Sequence, residues 1–443
     1  MFHSSIKKRR LQNTIYAIKD MQGNLLDKPT KVADAFLQFY QKLLGTSISQ
    51  RDAMMLKIVN RGPVMAEVQR KRLIGPFIKD DIKHSMFSIH RDKTPSPDGF
   101  GSYYYRDNWE IVGDQICEAM LSSFESGKLL KEVNSTFISL IPKVTCPTDV
   151  SEFRPIACCN TIYKCITKLL CVRLKEVLLE LIAENKGTFV HGRYIVHNIM
   201  VCQDLVRKYG RKNTTPSYMI KLDLRKAYDT VEWGFVEEML KGIHFPQKFI
   251  TWVMECITTP QFSLVLNGIP HDYFKSKRGL RQGDPLSPGM EYLSRIMYGL
   301  REDKDFSWHP KCKSMKLSHL CFADDMILCC KVETTSIKKM LQCFHRFSQT
   351  FGLKANNTKT ELYACGMQEE EVQQILQESG FKRGKLPFKY LGVPICSKRI
   401  SISQCESLVE KMTARIRLWS SRNLSFAGRS QLINSVLLSI HQY

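Results

Sequence analysis

Two adjacent aspartates, Asp324 and Asp325, interrupt an otherwise apolar stretch, LSHLCFADDMILCCK (Leu317–Lys331), and this feature restricts the fold most strongly. The flanking segments read as strands and the acids as the tight turn between them. Neighbouring carboxylates repel each other there and cost stability unless a cation neutralises them. A solvated turn accommodates an isolated Asp-Asp pair equally well, because aspartate is a common turn residue. A third acid shifts the balance between the two readings. Asp223 lies within MIKLDL (Met219–Leu224), an apolar strand in which an unpaired carboxylate is expensive.

Brought together by a strand and a hairpin, three carboxylates could hold two divalent ions. Hard oxygen ligands suit Mg²⁺, which takes one or two carboxylates together with substrate phosphates. One ion would activate a 3′-hydroxyl and the other would stabilise a leaving pyrophosphate, which is the chemistry of nucleotidyl transfer. Spacing alone does not establish that Asp223 meets the pair.

The rest of the chain reads as mixed helix and strand without a βαβ rhythm, an α+β pattern. Residues 1–90 are mostly helical and amphipathic, as in VADAFLQFYQKLL (Val32–Leu44), and form an N-terminal extension. Residues 91–122 hold the turn-rich KTPSPDGFG (Lys93–Gly101) and the start of a helix over Gln115–Leu130. In residues 123–395, STFISLIPK (Ser135–Lys143) reads as extended and Thr161–Ala183 as a long helix. Ser217–Leu224 reads as a strand, AYDTVEWGFVEEMLKGI opens a helix, and Gln261–Gly268 is a strand ending in an Asn-Gly turn. Pro288–Arg301 is a helix, Phe388–Ile395 is strand-like, and helices fill residues 396–443.

Charge narrows the partners. Lys and Arg number 65 against 43 Asp and Glu, a net +22, which suits a polyanion whose condensed counterions are released on binding. The sixteen cysteines are scattered, without a CxxC pair, and read as buried thiols in a reducing compartment. No apolar run approaches the ~18–20 residues of a membrane span, and MFHSSIKKRR lacks the apolar core of a secretory signal. The expectation is an intracellular protein of nucleus or cytoplasm, not secreted.

Six motifs in one order carry a resemblance to the reverse transcriptases of non-LTR retrotransposons, nearest to the LINE-type elements of plants. FADD (Phe322–Asp325) resembles their double-aspartate motif, and KLDLRKAYDTVEW (Lys221–Trp233) the motif of their first catalytic aspartate. RGLRQGDPLSP (Arg278–Pro288) is similar to their template- and nucleotide-contacting loop. ISLIPK with FRPIACCNTIYKCITKLLCVRLK (Phe153–Lys175) matches their fingers, and FGLKANNTKTE and KYLGVP their later palm motifs. The resemblance implies a right-hand polymerase core over residues 123–395, fingers and palm, with a partial thumb from 396 to 443. It implies an RNA-directed DNA polymerase that extends a DNA primer on an RNA template with dNTPs, using two Mg²⁺ ions for which Mn²⁺ could substitute.

Carried over residue by residue, Asp223, Asp324 and Asp325 bind the metals. Tyr228 is the aromatic gate that excludes a 2′-hydroxyl, and Asp229 beside it is structural. Gln282 and Gly283 contact nucleotide and template, where glycine permits close backbone approach. Lys143 and Arg154 approach the triphosphate, where cations offset developing charge. Lys359 is the late-palm lysine that protonates pyrophosphate. His191 and His197 read as local structure or template contacts, Trp233 and Trp252 as core, and Lys7–Arg10 as a basic arm.

The chain departs from the family pattern in three places. It begins within what resembles a linker after an endonuclease domain, and it stops within the region after the palm. Roughly six residues are also absent between Pro288 and Met290, which shortens the helix by about 9 Å and turns its downstream face by about 240°. Met290, Leu293, Ile296, Met297 and Leu300 still form one apolar stripe, at a different axial position. The expectation from that shortening is lost or weakened polymerase activity. It keeps two alternatives in view: a defective retroelement relic that still binds nucleic acid, and a maturase-like RNA-binding protein. The oligomeric state is not legible.

Overall fold

The structure is a computed structural model, and it describes residues 11, 13–48, 51–91, 93, 97–182, 194–209, 215–226, 228–281, 289–322, 325–398, 400–420 and 425–437. A short antiparallel pair, β1 (Ile18–Lys19) and β2 (Leu25–Leu26), precedes the helix Pro29–Gly45. That helix starts on a proline whose missing N–H would have had no intrahelical partner. Val32, Phe36, Tyr40 and Leu44 recur every four residues and are all buried, so one stripe faces inward.

The stripe packs on a four-stranded sheet of order β4-β3-β6-β7, built from β3 (Ser135–Pro142), β4 (Phe153–Cys159), and two strands introduced below. Phe36 meets Phe153 edge to face at 5.2 Å. Next along the chain, the helix Thr161–Leu181 buries Tyr163, Ile166, Leu170, Leu174, Val177 and Leu181 at steps of three or four. The strand β5 (Ser217–Leu222) follows, and after it the paired strands β6 (Gln261–Leu266) and β7 (Ile269–Lys275). Asn267 and Gly268, both left-handed at φ 51° and 86°, make the expected tight turn of that hairpin.

The second sheet has the order β11-β10-β5-β9-β8, from β8 (His319–Phe322), β9 (Asp325–Lys331), β10 (Glu361–Cys365) and β11 (Lys382–Arg383) beside β5. In β5 alternate residues enter two different cores. Tyr218, Ile220 and Leu222 join the main cluster, whereas Met219 packs with Leu320, Ile327, Cys329 and Tyr363 on the other face. A strand buried on both faces explains why its sequence is nearly continuous in apolar residues. Last comes a hairpin, β12 (Phe388–Tyr390) and β13 (Val393–Ile395), then the helices Ile402–Ser420 and Phe426–Leu432.

Two readings of local structure need correction. AYDT does not begin a helix: Tyr228, Asp229 and Thr230 form turns after Lys226, which is left-handed at φ 47°, and the helix opens at Trp233. FKYLGVPI is a hairpin rather than one strand, because Leu391 and Gly392 both take positive φ and reverse the chain. The N-terminal residues contribute directly to the main core through Ile58, Val59, Met65, Leu73, Ile82 and Met86. No disulfide joins the cysteines, most of which are buried as expected. No helix among the described residues is long and apolar enough to cross a membrane.

The helix Gly289–Tyr298 continues into a 3₁₀ turn, Gly299–Arg301. Leu293, Ile296, Met297 and Leu300 are buried in the main core, while the side chain of Met290 lies outside the described residues. The helix also buries a charge. Arg295, fully enclosed, sits 3.3 Å from Glu291 and donates to the carbonyls of Val59 at 2.5 Å, Pro63 at 2.6 Å and Leu181 at 3.3 Å. One guanidinium thus ties three segments to this helix, and burial lowers its pKa against the opposing pull of Glu291. Arg295→Met removes those donors and the cationic partner of Glu291. The expected cost is about 3–5 kcal/mol, read as a lower urea midpoint at unchanged slope.

Candidate active site

The register of the second sheet decides which acids meet. Lys221 lies opposite Ile327 and Leu222 opposite Met326 on antiparallel β5 and β9. Continuing that register by one residue brings Asp223 alongside Asp325, and facing positions of this kind hold their Cβ atoms about 4.5–5.5 Å apart. Both residues are half-buried. Phe322 pairs with Asp325 across the β8–β9 hairpin. Asp324 lies outside the described residues, as do Gln282, Gly283, His191 and the arm Lys7–Arg10. Among the described residues no group of three or more His, Cys, Asp or Glu side chains is placed to hold a metal. The two strand-end carboxylates supply oxygen donors only, a set that suits Mg²⁺ or Mn²⁺ rather than zinc.

Beyond Leu222 the ladder to β10 gives way to a turn that wraps Asp223. The backbone N–H of Asn356 donates to the Asp223 carbonyl at 2.7 Å, and its side-chain Nδ2 donates to Asp223 Oδ2 at 3.2 Å. The Asp223 N–H donates to Thr360 Oγ1 at 3.3 Å, and Thr360 is fully buried. Neither partner stands out in the sequence. Both lie within FGLKANNTKTE, where Asn-Asn-Thr signals a turn but not what the turn grips.

The loop after Asp223 joins the two sheets. Tyr228, half-buried, accepts from the Leu280 N–H through its carbonyl at 2.7 Å, and Gly279 donates to the Val231 carbonyl at 2.8 Å. Gly279 has φ +92°, and a Cβ there would stand 2.8 Å from the Asp229 carbonyl oxygen. Gly279 is therefore a position where the chain's own backbone comes too close for a side chain, while the approach expected at Gly283 lies outside the described residues. Trp233, only partly buried, donates from Nε1 to the Gly279 carbonyl at 2.8 Å, and Trp252 is core, donating to Phe124. Arg281 is buried with its guanidinium 4.0 Å from the Tyr163 ring centre and bonded to Asn134, which fixes the loop from behind.

Around this loop the cations converge. Lys143, whose ammonium donates to the Ser151 carbonyl at 2.7 Å, has its pKa lowered first by partial desolvation. Asp229 pulls the other way, while Arg154 and Lys359 add to the depression, so those three expected cations share one electrostatic neighbourhood. Lys226, which no sequence pattern singles out, belongs to it too. Its ammonium lies 4.0 Å from the Phe39 ring centre, and burial lowers its pKa to about 8. Asp229, only 9% exposed, is pushed up to about 6 by burial despite Lys226 and Lys143. His197 stands edge-on to Tyr194 at 5.7 Å, away from these acids in its own contacts.

Strand-end carboxylates beside a cluster of cations suit a phosphate-bearing substrate class handled with divalent ions. Residues 141–395, more than half of the chain, match the family model described as reverse transcriptase (RNA-dependent DNA polymerase). The chain belongs to that family. It is 24% identical to the Transposon TX1 uncharacterized 149 kDa protein of Xenopus laevis, over 99% of this chain and 34% of the relative. It is 23% identical to the retrovirus-related Pol polyprotein from type-2 retrotransposable element R2DM of Drosophila melanogaster, over 77% of this chain and 32% of the relative. A Pol polyprotein from a type-1 retrotransposable element R2 of Nasonia vitripennis is 23% identical over 58% of this chain and 24% of its own. The chain thus spans about a third or less of the curated relatives it matches.

The folded state holds the Asp229 proton more tightly than the unfolded chain does. That contribution to stability is fully present below pH 3.8 and is lost as pH rises through about 6. Asp229→Asn removes the titration. Denaturation of both proteins from pH 4 to pH 7 should show the wild type losing on the order of 3 kcal/mol relative to the variant. Parallel stability curves would exclude a buried, titrating Asp229.

Proposed function

We propose that this chain is the polymerase portion of a non-LTR, LINE-type reverse transcriptase that extends a DNA primer 3′-hydroxyl with dNTPs on an RNA template. What supports the reading is the β5–β9 register, whose last pair, Leu222 opposite Met326, directs the next residues, Asp223 and Asp325, toward one another in a chain of this family. On this reading the four-stranded sheet serves as fingers, the five-stranded sheet as palm, and the helices from Ile402 onward as the start of a thumb. The described residues of the N-terminal segment 1–90 pack into two cores, Val32 and Phe36 into one and Ile58 and Met65 into the other.

Asp223 and Asp325, with Asp324, would hold two Mg²⁺ ions, or Mn²⁺ in their place. When bound, such ions favour the attacking alkoxide and neutralise the leaving pyrophosphate. The chain's own groups do the rest. Lys143, Arg154 and Lys359 face the triphosphate and offset its charge, with Lys226 in the same neighbourhood. Lys359 gives a proton to the departing pyrophosphate. Tyr228 lies under the sugar and excludes a 2′-hydroxyl, while Gln282 and Gly283 contact nucleotide and template. The net charge of +22 holds primer and template through their phosphates.

An active centre is favoured over a relic because the apolar stripe of the shortened helix still enters the main core at Leu293, Ile296, Met297 and Leu300. The purified chain should extend a primer on a homopolymer RNA template with Mg²⁺ or Mn²⁺. Asp325→Asn and Asp223→Asn should each lower the rate by at least about a hundredfold. Extension that survives either substitution, or is absent from a folded wild type, removes the polymerase reading. RNA affinity should fall steeply with salt, whereas a flat response would exclude binding through phosphates.

A further inference from the structure

From the hydrogen bonds around Asp223 we infer that Asn356 is a positioning residue for the proposed metal centre, orienting the Asp223 carboxylate through an amide held by Thr358. The inference rests on the polymerase reading above and adds a residue to it. Asn356 meets Asp223 twice, once through its backbone N–H at 2.7 Å and once through Nδ2 at 3.2 Å. The backbone bond alone would satisfy the main chain where the ladder of β5 ends, and any residue but proline could make it. The side-chain bond has a different consequence. It engages Oδ2 of the carboxylate and leaves Oδ1 for a cation shared with Asp325.

An amide can present either its oxygen or its nitrogen, and only the nitrogen suits a carboxylate. The Asp223 carboxylate, which can only accept, sets the choice, and Thr358 then steadies the amide by donating from Oγ1 to Asn356 Oδ1 at 2.7 Å. The Asn356 carbonyl in turn accepts the N–H of Lys359 at 2.9 Å and of Thr360 at 2.7 Å, and Thr360 closes the ring by accepting the Asp223 N–H. Asparagine provides a donor without charge. A lysine there would compete with the cation as a counter-charge, and an aspartate would repel its neighbour. Groups that orient a ligating carboxylate in this way commonly control metal affinity by roughly ten- to a hundredfold.

The test compares Asn356→Leu, which keeps the backbone bond and the side-chain volume, with Thr358→Val, which removes only the hydroxyl that steadies the amide. Mn²⁺ affinity of the full chain without nucleic acid is read by electron paramagnetic resonance, alongside kcat and KM for dNTP in primer extension. Thermal unfolding checks the fold. Asn356→Leu should weaken Mn²⁺ binding and lower kcat by about tenfold each, with KM for dNTP within about twofold of wild type. Thr358→Val should shift Mn²⁺ affinity the same way by about threefold, and it decides the matter if Asn356→Leu does not fold. Asp223→Asn is the control. If it weakens Mn²⁺ binding while both positioning variants bind as wild type, Asn356 has no such role. If Asp223→Asn itself leaves Mn²⁺ binding and extension unchanged, the polymerase reading fails first.

Discussion

The register between two adjacent apolar strands, β5 and β9, each with an aspartate at the same end, sets the terms for the rest of this fold. Asp223 directly follows Leu222 and Asp325 directly precedes Met326, and both apolar residues are fully buried against the main core. A one-residue slip of β5 against β9 would exchange its two faces, moving Tyr218, Ile220 and Leu222 out of the main core and turning Lys221 into it. The apolar burial on both faces of β5 therefore fixes the register, and the register fixes the acids. Repulsion between them is the cost of that arrangement in the absence of a cation. The hydrogen bonds from Asn356 and to Thr360 offset part of it by holding the end of the strand where the ladder to β10 has stopped.

The cations obey a different constraint. They come from both sheets and reach one neighbourhood because the loop from Lys226 to Val231 is bound to the segment at Gly279 and Leu280. Asp229 is the acid they surround, and its burial makes its charge expensive even with Lys226 and Lys143 nearby. A basic cluster with one buried counter-charge keeps surplus positive potential for a polyanionic substrate. The loop is held to the segment at Gly279 and Leu280 by backbone bonds and the Trp233 indole, with the Arg278–Glu232 pair at 3.7 Å beside them, so the Lys143 and Lys226 ammoniums are not what fastens it.

Much of this was legible in the sequence, for definable reasons. The β8–β9 hairpin and β5 announce themselves because a carboxylate in an apolar strand is costly unless it meets a counter-charge, and the helices Pro29–Gly45 and Thr161–Leu181 follow from strict apolar spacing. Local signals failed where a single backbone torsion decides. The left-handed Lys226 keeps AYDT out of a helix, and Leu391 with Gly392 folds FKYLGVPI back on itself, although Gly392 was a hint of that turn. Asn356, Thr360 and Lys226 were missed for another reason. Their partners are more than a hundred residues away or on a separate element, and no periodicity encodes such contacts.

The helix Gly289–Tyr298 shows where counting residues stops being a guide to geometry. Removing six residues turns a helix by about 240°, and a rigid comparison would send its apolar face away from the core. Yet burial depends on where the helix is anchored, not only on how many residues precede it. Leu293, Ile296, Met297 and Leu300 keep the three- and four-residue spacing of one stripe, so any axial position that admits one of them admits all. Arg295 then sets that position, because its guanidinium has to reach the carbonyls of Val59, Pro63 and Leu181 at once. Those segments precede the family-matched region or lie in the long helix before β5, so the N-terminal residues take part in seating the helix. A helix held from its buried side, unlike one held by a single loop, has a seat that does not depend on how many residues precede it.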